Sequence, residues 1–187
     1  DQELTLTSGD LDNDGRLDLL SWPREGGELQ AWRYSSFAQL FTPMALDLPE
    51  VELGYGGAIE LIDFNLDGRL DLATLAGLGN ETDPTSLRIW LRQADGSFAD
   101  SGIRPDLRQD DRLYPAMAWG DFDNDGWPDL VLTARAQFYN EYYNEYYDAE
   151  CLVWLRNLEG AGFEEYARGE YGDAPKGNMT FGDADND

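Results

Sequence analysis

Short apolar runs bounded by turn-forming residues recur along the chain and predict strands rather than helices. The runs LTLTSG, AIELI and AMAWG each precede an acidic segment, and DLLSW, DLATLA and DLVLTA each follow one. Their length and their Gly, Pro, Asp and Asn borders are typical of strands. No segment shows a sustained helical stripe with capping residues. The pattern therefore predicts an all-β protein.

A Trp-centred apolar segment, a turn and a Phe complete each unit. The three copies read LQAWRYSSF, RIWLRQADGSF and LVWLRNLEGAGF. We expect the Trp segment to form a third strand and the Phe to begin a fourth, as from Phe37 to Pro43 in the first unit. The connection before the Trp segment varies most in length, since Trp32, Trp90 and Trp154 follow the acidic segment by 14, 19 and 25 residues.

The acidic segments repeat at nearly constant spacing. They read DLDNDGRLD from Asp10, DFNLDGRLD from Asp63, DFDNDGWPD from Asp121 and DADND from Asp183, at intervals of 53, 58 and 62 residues. A four-stranded antiparallel sheet repeated at about this period predicts a β-propeller blade.

The spacing divides the chain into about three blades and the start of a fourth. Because a propeller ring needs ~4–8 blades, we expect the chain to be a fragment of a larger propeller. The repeats cover approximately residues 1–52, 53–110, 111–173 and, incomplete, 174–187.

The composition narrows the possible functions. Asp and Glu number 38 against 13 Lys and Arg, a formal net charge of −25, which disfavours nucleic acid as a partner. The chain has no His and a single Cys, which excludes His-ligated zinc, a Ser-His-Asp triad and a Cys-rich metal site. No acid stands out as a general acid or base, so we expect no enzyme. The lone Cys151 lies in an apolar run and is expected to be buried.

The acidic segments have the ligand pattern of a calcium loop. Numbering each from one to nine, carboxylate or amide oxygens stand at positions one, three, five and nine, and a Gly at six allows a sharp turn. The backbone carbonyl at position seven supplies a further oxygen. The predicted ligands are Asp10, Asp12, Asp14, Arg16 (backbone), Asp18; Asp63, Asn65, Asp67, Arg69 (backbone), Asp71; Asp121, Asp123, Asp125, Trp127 (backbone) and Asp129.

These segments predict three complete Ca²⁺ sites and a fourth partial one. The partial site holds Asp183, Asp185 and Asp187 and stops before the Gly. Asn65 offers an oxygen with one charge less than Asp, so the second site is expected to be the weakest.

Two other interpretations of the acidic loops fit the residues less well. A single acidic Asp-Gly turn is often only a solvated hairpin, but three copies in register argue against this. An EF-hand needs a bidentate Glu at position twelve and flanking helices, whereas the chain has Ser21, Thr74 and Leu132 there and strands on both sides.

The segments GDLDNDGRLDLL, IDFNLDGRLDLA and GDFDNDGWPDLVL resemble the FG-GAP/VCBS repeats of integrin α-subunit propellers and of many secreted bacterial proteins. The turns RQADGSF and RNLEGAGF resemble that family's turn before a closing Phe. The resemblance implies a propeller of about seven blades, with calcium in the loop between the first two strands of each blade. It also implies an extracellular adhesion or recognition role, and the family's metal positions fall on the ligands named above.

The third unit carries a tyrosine-rich connection, RAQFYNEYYNEYYDAE, that forms a candidate recognition loop. Tyrosine offers a large contact area at low entropic cost and a hydrogen-bonding tip. Alternatively, these rings pack over a neighbouring blade. The candidate residues are Tyr139, Tyr142, Tyr143, Tyr146 and Tyr147.

The leading hypothesis is a calcium-stabilised extracellular module for adhesion or for recognition of protein or carbohydrate. The alternatives are a non-catalytic propeller portion of a secreted carbohydrate-active enzyme and a structural subunit of a surface layer or filament. No segment has the length of a membrane span, and a secretion signal is expected upstream of residue 1. Further blades or neighbouring chains are expected to cover the open edge of the sheets.

Overall fold

The computed structural model describes residues 3–23, 27–51, 53–54, 57–76, 87–105, 107, 116–170 and 179–180. Throughout these residues the regular structure is β-strand, and none of it is helical. The predicted all-β class is therefore confirmed. The fourth acidic segment, with Asp183, Asp185 and Asp187, lies outside the described residues.

Twelve strands form three four-stranded antiparallel sheets in which each strand pairs with its neighbours in the chain. Sheet 1 contains β1 (Leu4–Gly9), β2 (Asp18–Pro23), β3 (Gln30–Ser35) and β4 (Leu40–Met44). Sheet 2 contains β5 (Ala58–Ile62), β6 (Asp71–Leu75), β7 (Leu87–Arg92) and β8 (Phe98–Asp100). Sheet 3 contains β9 (Met117–Gly120), β10 (Asp129–Asn140), β11 (Glu145–Asn157) and β12 (Phe163–Glu170).

The three sheets are arranged as propeller blades whose first strands lie side by side. β1 contacts β5, and β5 contacts β9. The Thr5 hydroxyl donates to the Gly57 carbonyl at 3.1 Å, and the Thr7 hydroxyl donates to Glu60 Oε2 at 3.0 Å. Each first strand is therefore an inner strand, and the predicted blades of four antiparallel strands are confirmed.

Apolar side chains fill the space between successive sheets in two clusters. The cluster between sheets 1 and 2 has Leu20 and Trp22 at its centre, and the cluster between sheets 2 and 3 has Leu130 and Val153. Strand β6 is buried at all five positions, because it lies in the middle sheet and faces both clusters. Cys151 is fully buried in the second cluster, as predicted.

The predicted start of the fourth strand is wrong in the first unit. Phe37 lies in the turn between β3 and β4 and is 99% exposed, and β4 begins only at Leu40. Phe41 instead pairs with Tyr34 across the strands, as Phe98 pairs with Arg92 in sheet 2. The turn between β3 and β4 spans residues 36–39, so the Phe nearest to Trp32 in sequence falls in the turn itself and not on the strand.

The meander topology separates two faces of the molecule. Each acidic segment connects the first strand of a sheet to the second, so all three lie at one end of the strands. The connections from second to third strand, including the tyrosine-rich one, lie at the opposite end. Among the described residues, no helix is long and apolar enough to cross a membrane.

Candidate metal centres

The three acidic loops share one backbone conformation. We refer to residues 10–18, 63–71 and 121–129 as loops 1, 2 and 3. The Gly at position six has φ between 81° and 91° in each loop, in the left-handed region that favours Gly. Position four is left-handed as well, with φ of 55° at Asn13, 54° at Leu66 and 59° at Asn124. Two left-handed residues within three positions curl the chain tightly.

The carboxylate at position one holds this curl in place. Asp10 accepts the backbone N–H of Asp14 at 3.0 Å and that of Gly15 at 2.8 Å. Asp63 and Asp121 accept the corresponding N–H groups of loops 2 and 3 at 2.8 to 3.1 Å. The loops are thus pre-formed by their own first aspartate.

The position-nine aspartates, Asp18, Asp71 and Asp129, close the loops from the first residue of β2, β6 and β10. All three are fully buried. One oxygen of each accepts the backbone N–H at position two, as in Asp18 with Leu11 at 3.0 Å. The other oxygen of Asp71 and of Asp129 accepts a backbone N–H from the end of the third strand, at 2.7 and 2.8 Å.

Positions one, three and nine converge in loops 1 and 3. Within the described part of the chain, carboxylate oxygens of Asp10, Asp12 and Asp18 lie within 4.8 Å of one another, and so do those of Asp121, Asp123 and Asp129. Loop 2 has the same fold but carries an amide, Asn65, at position three. Oxygen atoms converging in this way suit a hard cation such as Ca²⁺.

Position five does not join these groups. Asp14, Asp67 and Asp125 each accept the backbone N–H of position seven at 2.8 to 3.0 Å. In loops 1 and 2 the same carboxylate also pairs with the position-seven arginine, Arg16 or Arg69. Loop 3 has Trp127 there, so its position-five carboxylate has no competing guanidinium at that site. The position-seven carbonyls remain predicted ligands.

Two oxygen atoms of loop 1 test whether the residues fit a cation. Asp12 Oδ1 and Asp18 Oδ1 are buried and have no hydrogen-bond partner among the residues that the structure describes. A buried carboxylate oxygen without a donor is costly, because nothing replaces its hydration. A bound cation supplies the missing partner, so the geometry fits a metal ion.

Burial changes the acidity of the closing aspartates. Desolvation raises the pKa of Asp71 to about 6, against the hydrogen bonds from the N–H groups of Arg92 and Phe64. Desolvation also raises the pKa of Asp18 and of Asp129, and the neighbouring loop carboxylates add to it. The charged, ligand-competent form of these groups is therefore disfavoured until a positive charge is bound.

Two arginines on the third strands reach position three. Arg33 donates to Asp12 Oδ2 at 2.9 Å, and Arg156 lies 3.7 Å from Asp123 Oδ2. Sequence reasoning missed both residues. The position of Arg33 directly after Trp32, the Trp of the third strand, was a usable signal. The same spacing does not find Arg156, because the bulge at Trp154/Leu155 displaces it by one residue.

Leu66 is a strained position in loop 2, and replacing it is expected to stabilise the fold. Leu66 is half-exposed with φ of 54°, where loops 1 and 3 carry Asn. A non-Gly residue pays ~1–2 kcal/mol in this region, and Asn adopts it more readily. We expect Leu66→Asn to raise the free energy of unfolding by about 1 kcal/mol, measured by urea unfolding.

Leu17→Asn is the matched control for this prediction. Leu17 is an exposed leucine of loop 1, and it is not among the residues with positive φ. A surface substitution without backbone strain changes stability by less than ~0.5 kcal/mol. Equal effects of the two substitutions would contradict the role given to backbone strain.

The tyrosine-rich connection is a two-stranded ribbon, residues 138–147, that extends beyond the four-stranded part of sheet 3. β9 pairs with Asp129–Leu132 of β10, and β12 pairs with Cys151–Asn157 of β11, so both end before the ribbon. Its turn is fixed by Asn140, whose side chain accepts two backbone N–H groups, and by Asn144 with φ of 54°.

The ribbon displays its aromatic rings to solvent. Tyr142, Tyr143, Tyr146 and Tyr139 are 88%, 67%, 68% and 48% exposed. The rings of Tyr139 and Tyr146 contact each other across the strands, tilted by 52° with centroids 5.0 Å apart, and Tyr142 meets Tyr143 edge-on at 4.8 Å. Tyr147 is partly buried and faces Phe138 at 6.1 Å on the other side. The exposed rings thus contact one another rather than a neighbouring blade of the described chain.

Comparison with known proteins identifies a sequence family and distant structural similarities. The sequence profile described as FG-GAP-like repeat matches residues 10–74 and 63–132, more than half of the 187 residues. No curated protein is similar to the chain at a significant level. Among solved structures it is similar to a lectin from Agrocybe aegerita, studied for specific recognition of non-reducing terminal N-acetylglucosamine. The identity is 13% and the TM-score 0.49, over 87% of this chain and 51% of the lectin, so this chain spans about half the length of that structure.

Proposed function

This chain belongs to the FG-GAP-like repeat family, and from that premise we propose that it is a calcium-binding extracellular recognition module. Calcium in loops 1, 2 and 3 stabilises the blades, and the opposite face binds a protein or carbohydrate partner. The chain itself performs no catalysis. The observation that carries the proposal is the convergence of positions one, three and nine in loops 1 and 3, with two buried oxygens of loop 1 that accept no donor from the described residues.

The three loops differ in their expected affinity for calcium. Loop 3 has a full set of aspartates and no arginine at position seven, so it is proposed to bind most tightly. Loop 1 has the same acids, but Arg16 pairs with Asp14, and this ion pair must break before Asp14 can bind calcium. Loop 2 has both the neutral Asn65 and the Arg69–Asp67 pair, so it is proposed to be the weakest.

An extracellular location follows from the kind of calcium site proposed. FG-GAP repeats are typically extracellular. Extracellular calcium modules commonly bind at ~10⁻⁴–10⁻³ M, which only extracellular calcium fills. With a net charge of −25 and a single buried Cys, the fold depends on bound cations rather than on disulfides for extra stability.

The outer side of sheet 1 is proposed to be covered by a further blade or a neighbouring chain. Thr5 and Thr7 point towards β5, so the alternate residues of β1 point to the other side. Leu4 and Leu6 stand at these positions and are exposed. Apolar side chains in a row on a sheet favour contact with another apolar surface.

Recognition is proposed to reside in the tyrosine ribbon, on the face opposite the loops. We expect Tyr142→Ser, Tyr143→Ser and Tyr146→Ser, combined, to abolish binding to the partner while leaving the melting temperature unchanged. These rings are exposed, so their loss removes contact area without opening a core. Glycan arrays and extracellular protein panels, probed in calcium and again in chelator, identify the partner, and titration of that partner measures the loss.

Phe37→Ser is the matched control, because Phe37 is an exposed aromatic side chain at the other end of the strands. It is expected to leave binding unchanged. Full binding by the tyrosine variant would contradict the use of the ribbon. Ordered self-assembly without any partner would instead favour a structural subunit of a layer or filament.

A further inference from the structure

The last residues of β7 and β11 occupy one structural position in successive blades. Arg92 ends β7 opposite Phe98, and Asn157 ends β11 opposite Phe163. They differ in side chain, yet each contacts the acidic loop of its own blade and the loop of the preceding blade. The contacts run through both the backbone and the side chain.

Arg92 joins loop 2 to loop 1. Its backbone N–H donates to Asp71 Oδ1 at 2.7 Å, and its carbonyl accepts Arg69 Nε at 2.9 Å, so its main chain is held by loop 2. Its guanidinium donates to the backbone carbonyl of Leu11, 81 residues away in loop 1. Arg92 is buried, with its guanidinium near the Phe98 ring.

Asn157 joins loop 3 to loop 2 in the same way. Its backbone N–H donates to Asp129 Oδ1 at 2.8 Å. Its side-chain amide donates to the Phe64 carbonyl of loop 2 and to the Pro128 carbonyl of loop 3, both at 3.1 Å. The carbonyl that each bridge reaches in the preceding loop is thus at position two, at Leu11 or Phe64.

Position two is where a loop is most sensitive to its surroundings. Leu11 stands between the candidate ligands Asp10 and Asp12, its N–H donates to the closing Asp18, and its side chain is fully buried between sheets 1 and 2. A hydrogen bond to its carbonyl therefore fixes the backbone between positions one and three. A loop whose backbone is already fixed loses less conformational freedom when it binds a cation, and it therefore binds the cation more tightly.

We propose that Arg92 and Asn157 are positioning residues that couple neighbouring loops, so that a cation in one blade tightens binding in the adjacent blade. The inference rests on the calcium binding proposed above. A cation in loop 2 fixes Asp71, which holds the backbone of Arg92 and thereby aims its guanidinium at Leu11 of loop 1. Because coupling between two sites is reciprocal, filling loop 1 equally favours loop 2. A merely structural bridge stabilises the fold but leaves the loops independent.

The test measures how the calcium affinity of loop 2 changes when loop 1 can no longer bind calcium. The change is compared between chains with and without Arg92. Calcium alone is the probe, titrated calorimetrically into the full chain. Asp12→Ala removes the position-three ligand of loop 1, and the affinity that is lost in Asn65→Ala, the same position in loop 2, assigns loop 2. We expect Asp12→Ala to weaken loop 2 about fivefold in the chain with Arg92. In an Arg92→Met background, Asp12→Ala is expected to leave loop 2 unchanged.

Two further variants keep the result decisive. Arg92→Lys retains a donor and a charge, so it is expected to restore part of the coupling, and it serves if Arg92→Met does not fold. Arg88→Met, on the same strand with its guanidinium near the Trp90 ring, is expected to keep the full coupling. Two outcomes would overturn the coupling but not the proposed calcium binding. In the first, Asp12→Ala changes the calcium affinity of loop 2 equally with and without the Arg92 guanidinium. In the second, it changes that affinity in neither background. Failure of the unsubstituted chain to bind calcium overturns the proposed function as well.

Discussion

Removal of calcium is expected to lower the melting temperature of this chain by roughly 15–30 °C. A site filled at about 100-fold above its dissociation constant adds ~2.7 kcal/mol to the free energy of unfolding. Three complete loops then contribute about 8 kcal/mol, and 1 kcal/mol corresponds to about 2–4 °C in a domain of this size. Without cations, the desolvation cost of the buried closing aspartates is not offset, and the net charge of −25 repels itself.

Thermal unfolding in ~10 mM calcium, about 100-fold above a dissociation constant of ~10⁻⁴ M, and again in chelator measures this effect, and elemental analysis counts the bound metal. Close to three calcium ions per chain are expected, one for each complete loop. A sample in chelator with matched ionic strength, adjusted with KCl, separates binding from screening of the surface charge. An unchanged transition with no bound metal would leave the loops as acidic turns and remove the support for an extracellular location.

Loss of the closing aspartate of the middle blade is expected to be the most damaging single substitution. Asp71 is fully buried and accepts the N–H groups of Phe64 and Arg92. Asp71→Ala leaves two buried donors without an acceptor, which costs about 2–6 kcal/mol. At pH 7 we expect the loss in free energy of unfolding to lie near the lower end of this range. The raised pKa of Asp71 reflects the desolvation of its carboxylate, and Asp71→Ala removes that cost together with the carboxylate.

Comparing the stabilities of Asp71→Ala and Asp12→Ala distinguishes two kinds of ligand. Asp71 is proposed to hold the fold as well as the metal, whereas Asp12 is proposed to bind the metal only. Within the described part of the chain, Asp12 Oδ1 has no hydrogen-bond partner, and its other oxygen pairs with the half-exposed Arg33. We expect Asp71→Ala to lower stability in both chelator and calcium, and Asp12→Ala to lower it in calcium only. Urea unfolding under the two conditions gives the four values. An Asp12→Ala chain that is equally destabilised in chelator would contradict this division of roles.

The strands and the loops were predictable because their signals are local. A strand of five or six residues is specified by its own apolar pattern and by the turn residues that border it. The acidic loops are specified by nine contiguous residues, and their left-handed positions fall on Gly and, in two of three loops, on Asn. Repetition of the pattern then gave the four-stranded blade, since each copy confirmed the boundaries of the others.

Register and exposure could not be predicted from these local signals. The place of the closing Phe in the first unit depends on the length of one turn, so Phe41 rather than Phe37 lies on the strand. The tyrosine ribbon is exposed because β9 and β12 end before it, and the length of those strands is not encoded in the ribbon itself.

By itself, the sequence determined the fold class, the number of strands per unit and the residues that line each acidic loop. The tertiary structure decided how the loops are closed and connected. Arg92 reaches Leu11 across 81 residues and Asn157 reaches Phe64 across 93, and neither pairing follows a periodic pattern in the chain. The physical reason is that a buried donor is matched to whichever carbonyl the packing of two sheets brings near, and that match exists only once the blades have assembled.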